Sequence, residues 1–263
     1  MRGDALPPGL WTHFSSPTYD EFLFRAQSKR VTARDHLGWL RRSRDDSKGR
    51  DMRKLIVSTF LTLDGVMQAP GGPEEDTDGN FALGGWSVNY WDDEMGEVMD
   101  AAMSQPFDLL LGRKTYEIFA AYWPHATEDQ GAKPLNDATK FVASRTLRSL
   151  DWSKSVLIEG EVAESVAALK REEGPELQVH GSGNLIQTLL RHELIDGFRL
   201  WTFPLVVGRG KRLFSDDTIP AGLKLIDSTV SSTGVMIGTY VPAGEVVTGS
   251  FALDEPTDGG NER

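Results

Sequence analysis

Three glycine turns stand at the ends of apolar runs: LLLGRKTYE at residues 109–117, QVHGSGNLIQTLL at 178–190 and PLVVGRGKRLF at 204–214. Each run reads as a buried strand, and the first two turns lead straight into a helical pattern. A strand that closes on glycine and opens a helix leaves backbone N–H groups unpaired at the positive end of the helix dipole, and such ends accept phosphate. Two such turns, with an arginine-containing third, point to a nucleotide carrying several phosphates. In the first, Gly112 permits the sharp turn, Arg113 or Lys114 can reach a phosphate, and Thr115 can cap the helix or bond a phosphate oxygen. The alternative is an ordinary strand–helix connection with a solvated Arg–Lys pair. The second, Gly181-Ser182-Gly183-Asn184-Leu185, lacks the third glycine of the dinucleotide fingerprint, because Ile186 stands there. No acidic residue closes a strand about 20 positions on, so a true Rossmann unit is disfavoured.

Other candidates flank these turns. Ser144 and Arg145 follow the short strand KFVA, and an arginine there suits a ribose 2′-phosphate; the plainer reading is a surface arginine. Asp64, in TLDG after the first strand, is either a turn residue or a carboxylate able to bond an amino-heterocycle at the strand end. Trp86, Tyr90 and Trp91 in GGWSVNYWDDE can stack a flat ring or roof the core. His125 and His180 have no partner at metal-ligand spacing, and His180 reads as packed at a strand end. No HExxH, GxSxG or Walker-type motif occurs, and no metal is expected.

Strands and helices alternate between these motifs. Strands are expected at Leu55–Leu61, Phe107–Leu111, Lys140–Ala143, Ser155–Ile158, Leu177–His180 and Ile195–Phe203. Helices are expected at Asp92–Ser104, Lys114–Ala121, Val162–Arg171 and Asn184–His192. The first of these has an Asp N-cap and a buried stripe of Met95, Val98, Met99 and Ala102. Leu223–Val230 and Val235–Val241 pair across SSTG as a terminal hairpin. Alternation followed by a hairpin predicts a mostly parallel α/β sheet with an antiparallel edge.

Composition sets the bounds. The 263 residues carry a net charge of −11, unevenly distributed. Residues 1–50 hold 10 Lys and Arg against 6 Asp and Glu, a net of +4, and residues 51–263 hold 18 against 33, a net of −15. An acidic body is a poor surface for nucleic acid, so a nucleic-acid partner is not expected. There is no cysteine, which excludes disulfides, thiolate zinc sites and cysteine nucleophiles. No apolar run is long enough to span a membrane, and MRGDALPPGL lacks the form of a secretory signal; a cytoplasmic location is expected. Three segments are expected: a basic leader over 1–51 outside the fold, one domain over 52–243 opening at Met52, and a loose acidic tail over 244–263.

STFLTLDGVMQAPGG, FALGGWSVNYWDDE, LLLGRKTYE, FVASRTL, VHGSGNLIQTLL and PLVVGRGKRLF, in that order, resemble the dihydrofolate reductase-like superfamily. The likeness runs from about Met52 to Pro242. It is greatest to stand-alone proteins similar to the reductase domain of bacterial bifunctional riboflavin-biosynthesis deaminase–reductases. The resemblance implies a three-layer α/β/α fold around a mixed sheet, with NADPH lying across the strand C-termini. By position it implies that Gly112, Arg113, Lys114 and Thr115 form the pyrophosphate and 2′-phosphate turn, and that Ser144 and Arg145 make the adenosine-side contact. Gly181 to Leu185 would form the second phosphate turn, Asp64 the substrate-side carboxylate, and Pro204, Gly208 and Gly210 the loop closing over substrate. It further implies an NADPH-dependent reductase of a small heterocycle, similar to 5-amino-6-(5-phosphoribosylamino)uracil reductase, assembled as a homodimer. Asp64 would bind or protonate the substrate, and Trp86, Tyr90 and Trp91 would wall the crevice. The alternative is a nucleotide-binding protein of the same fold without turnover.

Overall fold

The computed structural model describes residues 52–127, 131–216 and 218–251. The leader and the last residues of the tail lie outside the described residues. Eight strands form one sheet: β1 (Leu55–Thr62), β2 (Phe107–Gly112), β3 (Lys140–Ala143), β4 (Ser155–Leu157), β5 (Glu176–Val179), β6 (Gly197–Phe203), β7 (Leu223–Val230) and β8 (Met236–Pro242). Their order is β4-β3-β2-β5-β1-β6-β8-β7. The six strands from β4 to β6 run parallel, β8 pairs antiparallel with β6, and β7 pairs antiparallel with β8. Among the described residues five α-helices accompany the sheet: α1 (Asp93–Met103), α2 (Arg113–Tyr122), α3 (Ala132–Asp137), α4 (Val162–Arg171) and α5 (Gly183–Arg191).

Strand alternation divides the side chains between two faces. Leu55 and Val57 of β1, Leu177 and Val179 of β5, and Phe198 and Leu200 of β6 point to one face. There they meet Val166 and Leu169 of α4 and Leu185, Ile186 and Leu189 of α5. Each such apolar side chain stabilises the fold by roughly 1.5–3 kcal/mol on burial, which fixes the axis of α5 and therefore where its first turn points. On the opposite face α2 packs Tyr116 and Phe119 with Leu109, Leu111 and Val142. Further along that face, α1 packs Met95, Val98 and Met99 with Phe60, Trp201 and Phe203. The result is the three-layer α/β/α arrangement. Of the stripe expected to be buried on α1 only Met95 is fully so, and Val98, Met99 and Ala102 are half-buried.

Two buried cations hold the strand starts. Lys140 is fully buried and donates to the carbonyls of Asn136, Ala138 and Ser153 at 2.8, 2.9 and 3.0 Å, with its ammonium 4.2 Å from the Trp152 ring centroid. Burial pulls its pKa down to about 8, so it stays protonated at neutral pH. Arg53 pairs with Asp108 at 2.5 Å and donates to the Pro175 carbonyl at 2.8 Å, joining the entries to β1, β2 and β5.

Two expectations are corrected. Pro204–Val207 is a loop leaving β6 and not a strand of its own, with Val206 exposed. A short apolar run does not distinguish strand from loop, and Pro204 ends the ladder. The helix α3 was not expected, because six residues with Pro134 inside give no period to read. Among the described residues no helix is long and apolar enough to cross a membrane.

Candidate cofactor and substrate site

Parallel strands end at one edge of the sheet, and the candidate motifs lie along it in the spatial order β3, β2, β5, β1, β6. Gly112 is level with Ala143 across the β2–β3 pair, so Ser144 and Arg145 leave β3 beside the start of α2. β5 lies against β2 on its other side, bringing Gly181 and Ser182 to the same helix end.

There the two glycine turns meet. The Gly112 N–H donates to the Ser182 hydroxyl at 3.0 Å, and that hydroxyl donates to Thr115 Oγ1 at 2.6 Å. A side chain at Gly112 would put its Cβ 2.6 Å from Ser182 Cβ and Oγ, so only glycine allows this approach. Gly181 has a φ of 145°, a region that favours glycine, and Ser182 is itself left-handed at φ 72°. Ser182 is the N-cap residue of α5, yet its hydroxyl is spent across the gap on β2 and α2. Neither α2 nor α5 has a side-chain cap. The first-turn amides of Arg113, Lys114 and Thr115, and those of Gly183, Asn184 and Leu185, therefore have no intrahelical partner and no cap. Two uncapped helix N-termini locked side by side bring two sets of free donors and two positive dipole ends together.

Ser144 Oγ accepts from the amides of Thr146 and Leu147 at 3.2 and 3.0 Å, which folds the loop after β3 and leaves Arg145 exposed at its tip.

Both carboxylate oxygens of Asp64 are engaged at the end of β1. Its Oδ1 accepts from Thr62 Oγ1 at 2.6 Å and from the Val207 amide at 3.3 Å, and its Oδ2 accepts from the Gly208 amide at 2.9 Å and from Arg212 at 3.4 Å. Burial raises its pKa, but the hydrogen bonds from Thr62, Val207 and Gly208 outweigh that and hold it below the usual aspartate range. An ionised carboxylate with its lone pairs occupied is a latch between the first turn and the 204–212 loop. The latch is reinforced by Met67 N–H donating to the Lys211 carbonyl at 2.8 Å and by a bridge between Val66 and Arg212.

An ionic cluster that motif reading did not single out lies beside the α2 turn. Lys114 and Lys211 both pair with Asp76 and Asp78. Lys114 lies 3.3 Å from Asp76, and Lys211 lies 2.5 Å from Asp76 and 2.8 Å from Asp78, while Lys114 also meets Asp78 directly. The pair with Lys114, then that with Lys211, pulls the Asp78 pKa down to about 2, and Asp78 in turn raises that of Lys114. Behind the cluster opens a crevice of about 640 Å3 between residues 78–83 and the 207–211 loop, with Gly208 and Gly210 in its wall and Gln68 at its floor.

Trp86, Tyr90 and Trp91 do not line that crevice. Trp86 and Tyr90 meet Phe203 edge-on at 5.2 and 5.8 Å, and the Trp86 indole donates to the Gln68 carbonyl at 2.8 Å. Trp91 lies parallel to Trp201 at 6.2 Å. They roof the α1 side of the sheet, one of the two roles their spacing allowed. Among the described residues no group of three or more His, Asp or Glu comes together to hold a metal ion.

Comparison with known proteins agrees with this architecture. Over 192 residues the chain is 29% identical to the uncharacterized protein YyaP of Bacillus subtilis (strain 168), covering 72% of this chain and 94% of that protein. It is 27% identical over 176 residues to the uncharacterized protein YwjB of the same strain, covering 66% and 89%. Among solved structures it is similar to a candidate riboflavin biosynthesis protein from Shewanella sp. PV-4, with a TM-score of 0.54 and 23% identity over 72% of this chain and 99% of that one. Residues 53–237 match the family model of the RibD C-terminal domain, and the chain belongs to that family.

Proposed function

We propose that this protein is an NADPH-dependent reductase of a small heterocycle, similar to 5-amino-6-(5-phosphoribosylamino)uracil reductase. The single observation that carries the reading is the Ser182 bridge between two uncapped helix N-termini. This donor set fits a dinucleotide diphosphate. The amides of Gly112 to Thr115 are not all free, since that of Gly112 serves Ser182, so the phosphate donors are Arg113, Lys114 and Thr115 on α2 and Gly183, Asn184 and Leu185 on α5. Arg145 takes the ribose 2′-phosphate, with Ser144 shaping its loop. When bound, NADPH supplies the hydride.

The protein's own residues then orient and enclose. Asp64 holds the 204–212 loop over the crevice through Val207 and Gly208, and Gly208 and Gly210 give that loop its close approach to substrate. Because Asp64 is ionised and engaged, its part in turnover is positional, and the substrate proton comes from water. A cytoplasmic location and a homodimer belong to the same proposal. The exposed Leu223 and Leu225 on edge strand β7 offer an apolar face for a second copy.

The committed state of Asp64 also favours the second reading, a nucleotide-binding protein without turnover. The test is NADPH oxidation followed at 340 nm with a panel of pteridines, pyrimidines and flavins. Oxidation dependent on one of them supports the reductase. Saturable NADPH binding with no oxidation by any supports the second reading, and absence of NADPH binding overturns both.

A further inference from the structure

The α2 turn and the crevice wall share one pair of carboxylates. Lys114 stands in the first turn of α2, among the proposed phosphate donors. Lys211 stands in the 204–212 loop and lines the crevice together with Asp78. Asp76 receives one lysine on each oxygen, Lys114 on Oδ1 at 3.3 Å and Lys211 on Oδ2 at 2.5 Å. Asp78 does not divide them: Lys114 and Lys211, the latter at 2.8 Å, both meet its Oδ2. Two ammonium groups on one oxygen repel each other, so each weakens the other's hold.

The main chain on both sides of these ion pairs is fixed by one buried side chain, Gln68. Its Oε1 accepts from the Lys211 amide at 3.0 Å, and its Nε2 donates to the Asp76 and Asp78 carbonyls, both at 3.0 Å. What stays free to change is the lysine side chains. Asp76 is largely buried, whereas Asp78, Lys114 and Lys211 are about half exposed and open to solvent. A lysine stem is flexible enough to turn from Asp78 to an anion at the α2 turn while the main chain keeps its place.

We propose that the two aspartates couple the α2 turn to the crevice. A diphosphate on the α2 turn draws Lys114 off Asp78, Oδ2 is left to Lys211 alone, and the loop over 207–211 is held more firmly against residues 78–83. Cofactor binding thereby sets the crevice wall, and by linkage a firmly held loop favours the diphosphate in return. Asp78 and Lys211 are positioning residues: Asp78 acts through Lys211, and Lys211 on the loop that carries it. The inference rests on the cofactor reading and goes beyond it, because it makes closure of the crevice a consequence of phosphate binding and puts the cofactor first in the order of binding.

The experiment is amide hydrogen exchange, read by NMR on the 15N-labelled full chain at low ionic strength. The probe is inorganic pyrophosphate, which carries the diphosphate and no group that reaches into the crevice. Three amides report on the loop: Lys211 through Gln68, Gly208 through Asp64, and Met67 through the Lys211 carbonyl. Saturating pyrophosphate is expected to shift the amides of Lys114 and Thr115 and to slow exchange of the three reporters by roughly twofold to fivefold, the size of effect an exposed ion pair supplies. NADPH is expected to do the same at lower concentration, and it carries the test if pyrophosphate does not saturate. Asp78→Asn and Lys211→Met are each expected to keep the α2 shifts and lose the slowing. Slowing that survives in Asp78→Asn means that Lys211 grips the phosphate directly and overturns the coupling, as do reporters that exchange unchanged or faster while the α2 amides shift. Pyrophosphate and NADPH that both leave the α2 and α5 amides unmoved overturn the cofactor reading itself, and the coupling with it.

Discussion

The Ser182 hydroxyl sits between the Gly112 amide and the Thr115 hydroxyl, 3.0 Å from one and 2.6 Å from the other, and by this contact the start of α5 is fastened to the start of α2. Gly112→Ala drives a methyl into Ser182 and is expected to destabilise the fold by about 1–3 kcal/mol. Ser182→Ala removes the bridge and leaves a buried donor unpaired, a loss of about 1–3 kcal/mol, whereas Ser182→Gly also relieves the left-handed backbone and recovers about 1 kcal/mol relative to alanine. Chemical denaturation of the three variants checks the order. Alanine and glycine variants of equal stability would mean that Ser182 is not strained.

Arg145, exposed beside the α2 turn, is expected to read the cofactor's 2′-phosphate. Arg145→Ala should weaken NADPH by roughly tenfold and leave NADH within about twofold, as measured by quenching of tryptophan fluorescence. Equal losses for the two cofactors would remove that role.

Lys114 is shared between Asp76, Asp78 and the phosphate it is expected to bind. Asp78→Asn removes a competitor and should tighten NADPH a few-fold, with the gain shrinking as salt rises. Lys114→Met should weaken NADPH. A weaker NADPH complex in Asp78→Asn would show that the acidic stretch supports the cofactor and does not compete with it.

Asp92 caps α1 by accepting from the Met95 amide at 2.9 Å, and it also accepts from Ser232 and Thr233 in the β7–β8 turn at 2.7 and 3.2 Å. The Met95 bond first, and then Ser232, pull its pKa down to about 2. A folded-state pKa below the unfolded one stabilises the protein at pH values above the ordinary aspartate range near 4, and that contribution is lost as pH falls toward 2. Asp92→Asn should lower the melting temperature at pH 7 and flatten its fall between about pH 4 and 2. An unchanged acid limb would contradict the cap's role.

Much of this was legible in the chain. Glycines closing apolar runs marked the α2 and α5 turns, α4 matched its expected ends at Val162 and Arg171, and Asp92 was readable as an N-cap because capping is local. What sequence spacing hides is pairing across distance. Asp64 meets Val207 and Gly208, 143 and 144 residues away, so its state could not be read from TLDG. The PEEDTDGN stretch looks like solvated loop until the fold brings Lys114 and Lys211 to it.

Whether the first turns of α2 and α5 together hold the diphosphate of NADPH is read by an amide-resolved NMR titration of the 15N-labelled chain with NADPH. The amides of Lys114, Thr115, Gly183, Asn184 and Leu185 are expected to move together and more than any others, with one dissociation constant. Saturation with NADPH that leaves both turns unmoved, or moves one and not the other, would contradict it.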